Sequence, residues 1–265
     1  MIEFSKLALM SDLVQRDRAM DHLNMPQSSL DQKILKAEEI DIWSFSLNCD
    51  PSAVSRSFRL LSPDEKQKAD RFRFEKDRDR YVVARGSLRR IIGSYLGLQP
   101  DQIRFSYNRF GKPFIDDQNV SIRFNVSHSR DIALIAVTSG KEVGIDIEFV
   151  DDGLDVLTTA KCIFSQTETS ILEKLPSDLR TRAFFKAWTS KEAYLKALGK
   201  GFSDESRQFP VSILMDEQKF VFITNDGHRS RKWSLMSLPS GRNYSSALVV
   251  EGEIETTRNR QLPIK

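Results

Sequence analysis

Asp146, Glu148, Glu192 and Lys196 are the residues whose types and spacing could do chemistry. In a strand, residues two apart share a face. Ile145-Asp146-Ile147-Glu148 would therefore turn two carboxylates one way and two isoleucines into a core. In a helix, residues four apart stack, so Trp188-Thr189-Ser190-Lys191-Glu192-Ala193-Tyr194-Leu195-Lys196 aligns Trp188, Glu192 and Lys196 in one stripe. The glutamate precedes the lysine, which is the favourable order. If strand and helix meet, Asp146, Glu148 and Glu192 form an all-oxygen set of metal ligands beside a cation. Such a set suits Mg²⁺ or Mn²⁺, and Mg²⁺ completes its shell with water and substrate phosphates. A phosphate-bearing substrate is implied. Taken singly, each motif is more often a solvated face. The stretch 143–150 is apolar enough to be buried, however, and there unpaired carboxylates are costly and need a cation.

Composition bounds what can hold these residues. A chain of 265 residues, 40% apolar, can bury a core as one large domain or two small ones. Forty basic against 37 acidic residues leave a net charge of +3, too even to point to a nucleic-acid partner. No apolar run approaches the length of about 18 residues that a membrane helix needs, and Met1-Ile2-Glu3-Phe4-Ser5-Lys6 does not read as a secretory leader. A cytoplasmic protein without a membrane partner is expected. Cys49 and Cys162 form no framework and are expected as free core thiols, and His22, His128 and His228 give a zinc site little support.

Residues 1–38 read as an N-terminal extension, with a helical signal over 7–22 and a polar turn at 24–29. The alternation of Ile40-Asp41-Ile42-Trp43-Ser44-Phe45-Ser46-Leu47 predicts a strand with one buried face. An internal repeat organises the rest: residues 78–97 line up without a gap against 180–199, an offset of 180 − 78 = 102. Both segments read as long amphipathic helices ended by glycine, each preceded by a capping-box pattern, Ser62 to Glu65 and Ser165 to Glu168. Hairpins follow at 123–138 and 233–250. The expected fold is α+β, with two similar lobes, 39–140 and 141–251, packed in pseudo-twofold fashion around a cleft, and a tail at 252–265. The boundary falls near Ser139-Gly140-Lys141. The repeat sets Glu192 against Arg90, so an interlobe site would take acidic groups from the second lobe and basic groups from the first.

Three features of the first lobe concern anions. The basic run from Lys66 to Arg90 alternates with Asp70, Glu75, Asp77 and Asp79, and most of it reads as a solvated helix face. Gly111-Lys112-Pro113 is first a turn, yet its glycine permits close approach and its proline fixes the chain, which could aim Lys112 at a phosphate. Ser127-His128-Ser129 is expected in the loop between two apolar strands, where Ser127 and His128 could bind phosphate or the histidine could cap a hairpin.

Taken in order, Gly111-Lys112-Pro113, Phe124-Asn125-Val126-Ser127-His128-Ser129, Val143-Gly144-Ile145-Asp146-Ile147-Glu148, Phe164-Ser165-Gln166-Thr167-Glu168 and the Trp188 to Lys196 segment resemble the Sfp-type 4′-phosphopantetheinyl transferases over about residues 40 to 250. The resemblance implies two similar α+β lobes with coenzyme A and Mg²⁺ between them. It also implies transfer of the phosphopantetheine arm to a serine of an apo acyl carrier protein or peptidyl carrier domain, in fatty acid, polyketide or nonribosomal peptide synthesis. Asp146, Glu148 and Glu192 would hold the metal. Lys112, Pro113, Ser127, His128, Asp146, Glu192 and Lys196 would contact coenzyme A, with Lys68, Lys76 and Arg85 as candidates from the basic helix. Glu192, Lys196 and Asp146 would be the catalytic residues. Glu192 would take the serine proton directly or through a water, and Lys196 would stabilise the departing oxygen. A monomer is expected. The alternatives are a coenzyme A-binding or carrier-binding regulator without turnover, and a Mg²⁺-dependent nuclease or phosphatase. The intact acidic positions and Lys196 argue against the regulator, and ligand preference separates the enzymes.

Overall fold

The computed structural model describes residues 33–201, 219–226 and 229–263. The helix expected over 7–22, the turn at 24–29, His22 and His228 lie outside the described residues. The chain opens with β1 (Glu39–Ser46), then α1 (Pro51–Arg59), α2 (Pro63–Ala69) and the long α3 (Glu75–Leu96). Short strands β2 (Ser106–Tyr107) and β3 (Pro113–Phe114) lead to the hairpin of β4 (Ile122–Ser129) and β5 (Ile132–Ser139). The second half repeats this order as far as its long helix, with β6 (Val143–Phe149), α4 (Val156–Ile163), α5 (Gln166–Lys174) and the long α6 (Ser177–Leu198); β7 (Lys219–Asp226), β8 (Arg229–Ser237), β9 (Tyr244–Glu251) and β10 (Thr256–Gln261) follow. The fold is α+β, and no described helix is long and apolar enough to cross a membrane.

The repeat is visible in the backbone. Both long helices have 22 residues and end on a left-handed glycine, Gly97 at φ 64° and Gly199 at φ 63°. Both capping boxes form, at Ser62–Glu65 and Ser165–Glu168. Each boxed glutamate is buried and pairs with a buried cation of the long helix that follows: Glu65 with Arg89 at 2.6 Å, Glu168 with Lys191 at 3.0 Å. The sheets match too, with order β10-β1-β5-β4 in one and β6-β9-β8-β7 in the other. In each, the leading strand pairs with the last strand of a later hairpin.

The sheets share a core. Ile40, Ile42, Leu134 and Ala136 of the first pack with Ile145, Ile147, Leu248 and Val250 of the second. Trp43, Phe45, Ile135 and Val137 pack on the opposite side with Val82, Val83, Leu88 and Ile92 of α3. Thus β1 is buried on both faces, and the single buried face expected for residues 40–47 is corrected. Asp41 is fully buried, and arginines of β10 reach it. The tail expected at 252–265 contributes that strand, parallel to β1. Cys49 and Cys162 are free, but neither is a core thiol: Cys49 is half-buried and Cys162 lies on the outer face of α4.

Candidate functional site

Strand β6 and helix α6 meet because residue 144 has no side chain. A Cβ on Gly144 would stand 1.9 Å from the Ala193 carbonyl oxygen and 2.4 Å from Ala197 N. Only glycine lets the strand backbone lie this close to the helix backbone. Ala193 and Ala197 keep the helix side of the contact equally low. With Ile145 and Ile147 committed to the shared core, Gly144, Asp146 and Glu148 face α6.

Lys196 Nζ sits 2.6 Å from Asp146 Oδ1 and donates to Ser127 Oγ at 2.9 Å. The Ser127 hydroxyl donates in turn to Asp146 Oδ1 at 2.8 Å. Asp146 Oδ2 is buried and accepts no hydrogen bond. A buried carboxylate oxygen left open is costly unless something positive or hydrogen-bearing meets it, so this donor set fits a hard cation. Burial first, and then the charge of Asp146, raise the Glu148 carboxyl above its ordinary pKa, against hydrogen bonds from Ser129 and Trp188. Burial and Asp146 raise Glu192 likewise, while Lys196 opposes them. The three acids are thus electrostatic neighbours. Among the described residues, however, no three acidic, histidine or cysteine side chains converge closely enough to form a ready-made metal cage.

The edge strands β4 and β6 are joined through side chains. Asn125, Ser127 and Ser129, two apart on β4, accept from the backbone N–H groups of Ile145, Ile147 and Phe149 at 2.9, 3.4 and 3.0 Å. The Ser129 hydroxyl also donates to Glu148 Oε2 at 3.0 Å. Ser127-His128-Ser129 therefore lies within a strand, correcting the loop expected there. The connection is only Arg130-Asp131, and Arg130 takes a left-handed φ of 50° that allows so tight a turn. His128 stays exposed; the protein around it, then Lys196 and Arg80, lower its pKa.

The other expected coenzyme A contacts are placed less centrally. Arg85 pairs with the buried Glu65 at 3.0 Å and stacks over Phe105 and Tyr107. Lys68 lies over the Tyr81 ring, and the charge of Lys76 is felt at Asp131. Lys112 donates to the Val143 and Ala197 carbonyls at 3.1 and 3.2 Å and to Glu142 at 3.3 Å, and burial lowers its pKa. Pro113 pairs across to Tyr107 in the small β2–β3 ribbon. Sequence reasoning missed Gly144 and Asn125. Period-two polar residues closing a strand, about twenty residues before an acidic strand of the same period, were the available signal.

Two family matches tile this architecture. The family described as 4′-phosphopantetheinyl transferase superfamily matches residues 142–249, and 4′-phosphopantetheinyl transferase, N-terminal, matches 48–140. The 4′-phosphopantetheinyl transferase HetI of Nostoc sp. is 34% identical over 220 residues, 82% of this chain and 90% of its own. The chain belongs to the 4′-phosphopantetheinyl transferase family. Similarity to this transferase extends to Sfp of Bacillus subtilis, 34% identical over 65% of this chain and 75% of its own. It extends also to the mouse L-aminoadipate-semialdehyde dehydrogenase-phosphopantetheinyl transferase, 27% identical over 78% and 74%. The two matched stretches of the transferase abut at Lys141, in the turn between β5 and β6.

Proposed function

We propose that this chain transfers the phosphopantetheine arm of coenzyme A to a serine of an apo acyl or peptidyl carrier protein. Family membership supports the reaction class, and the meeting of Asp146 and Glu148 on β6 with Lys196 on α6 carries the assignment of the site. The serine oxygen attacks the phosphorus bearing the pantetheine arm, and the bond from that phosphorus to the bridging oxygen breaks. Adenosine 3′,5′-bisphosphate leaves. Glu192 accepts the serine proton, and Lys196 neutralises the charge that gathers on the leaving oxygen. Asp146 orients the Lys196 ammonium through the ion pair at 2.6 Å. Mg²⁺ or Mn²⁺ held by Asp146, Glu148 and Glu192 would supply charge neutralisation of the diphosphate. Ser127 and His128 are assigned to the substrate phosphates, with Lys68 and Lys76 as further candidates.

In this reading, 39–140 and 141–251 are two lobes in pseudo-twofold relation with the site in the cleft between them. The protein works as a cytoplasmic monomer. The test is to incubate the full chain with coenzyme A, Mg²⁺ and a panel of apo carrier proteins and to weigh the carriers. A mass gain of one phosphopantetheine arm on a single serine is expected. Coenzyme A binding without any gain across the panel would favour a non-catalytic regulator. Asp146→Ala, Glu148→Ala and Glu192→Ala should each keep the fold and lower turnover by about 10²-fold or more, as loss of transition-state charge stabilisation does. Near wild-type turnover in any one of them at low Mg²⁺ removes that residue from the site.

A further inference from the structure

The turn between β2 and β3 reaches the end of α6. Asn108 Oδ1 accepts from Phe110 N at 2.9 Å and Lys112 N at 3.0 Å, which closes the turn. Gly111 takes φ 83° with open space around it, a conformation glycine adopts at no steric cost. The turn leaves two donors pointing outward. Asn108 Nδ2 donates to the Gly199 carbonyl at 2.7 Å, and Lys112 Nζ to the Ala197 carbonyl at 3.2 Å. These carbonyls belong to the end of a helix, where backbone acceptors have no intrahelical partner and a cation is favoured by the helix dipole. Lys112 Nζ also donates to Val143 O at 3.1 Å, the first residue of β6. One ammonium thus ties the start of the strand bearing Asp146 to the last turn of the helix bearing Lys196. Gly144, between them, permits the backbones to touch.

We propose that Asn108 and Lys112 form a clamp that sets the position of α6 against β6. Lys112 then acts on the reaction through the Ala197 and Val143 carbonyls and is a positioning residue, not a ligand of the nucleotide. Lys196 immediately precedes Ala197, and Glu192 lies one turn earlier, so movement of the last turn is passed to both. A misplacement of about 1 Å can cost on the order of 10²-fold in rate. The proposal rests on the transfer reading only for what the clamp serves; the clamp itself is a matter of backbone order.

The test uses the full chain and three variants. Asn108→Asp keeps the acceptor that closes the turn and removes the donor to Gly199. Lys112→Met keeps the stem and removes the ammonium, and Lys112→Arg restores donors. The expected result for Asn108→Asp and Lys112→Met is a kcat about tenfold or more below wild type, with coenzyme A Kd by calorimetry within about twofold. Amide exchange should quicken over 193–198 in α6 and stay unchanged over 91–96 in α3. Lys112→Arg should recover part of kcat. A rise of tenfold or more in coenzyme A Kd for Lys112→Met, with kcat and exchange unchanged, would overturn the proposal and make Lys112 a nucleotide ligand. Unchanged kcat and exchange in both variants would make the turn passive and overturn it equally. If the wild-type chain modifies no carrier, the transfer reading falls, and the exchange comparison still decides the clamp.

Discussion

Ser129 uses one hydroxyl twice: it accepts from Phe149 N and donates to Glu148 Oε2. Ser127 does the same work one pleat earlier, between Ile147 N and Asp146. Groups that hold a ligating carboxylate in place are worth about 10–100-fold in metal affinity when removed. With Glu148 a Mg²⁺ ligand, as proposed, Ser129→Ala should shift the Mg²⁺ dependence of transfer about tenfold upward while the rate at saturating Mg²⁺ stays closer to wild type. An unchanged Mg²⁺ midpoint would reduce Ser129 to a stitch between strands. The carboxylates themselves were legible, since a period of two along residues 145–148 settles which side chains share a face. Their supports were not. Ser129 and Glu148 belong to edge strands of different sheets, and a pattern within either strand is silent about its neighbour across the gap.

At the scale of elements, local signals served well. The long helices, their terminal glycines and both capping boxes are set by interactions within a few residues, so spacing alone located them. Packing was harder to read. Gly144 carried no signal of its own within the strand, and its reason lies in the distant Ala193. Likewise, Arg89 read as part of a solvated basic face and Arg85 as a candidate coenzyme A contact, whereas both turn to the buried Glu65. Gly144→Ala should test the contact that creates the site. Its methyl meets backbone on the helix side, which cannot swing away as a side chain can, so strand and helix must separate. Overpacking of this kind costs about 1–3 kcal/mol. The expected outcome is a lower urea midpoint together with a loss of kcat larger than any change in coenzyme A affinity. Full activity with unchanged stability would mean that the two backbones are not in contact.

At the scale of the molecule, the ends of the described chain are held by a buried charge. Asp41 on β1 meets Arg258 Nε at 2.6 Å and Arg260 Nε at 2.8 Å on β10, and Tyr95 of α3 donates to it as well. Trp43 Nε1 donates to Tyr95 OH at 2.9 Å and extends the network to the first core. The alternation of residues 40–47 concealed this, because the arginine partners lie more than two hundred positions away, in a tail outside the stretch that carried the resemblance. Burial alone would raise the Asp41 pKa, but the bonds from Arg258, Tyr95 and Arg260 outweigh it and hold the carboxyl below its ordinary value. A depressed folded-state pKa gives stability that is fully present above the unfolded value, about 3.9, and lost as pH falls through the folded one. Asp41→Asn should therefore be less stable than wild type at neutral pH. The loss should lie at the low end of the roughly 3–5 kcal/mol for breaking a buried pair, since the part-exposed arginines can be screened by water. The gap between the two proteins in urea unfolding should stay constant from neutral pH down to about pH 5 and narrow steadily below pH 4. A gap that keeps its full size to the lowest measurable pH would show that the carboxylate charge is not what holds β10 to β1, leaving that task to the backbone hydrogen bonds of the parallel pair.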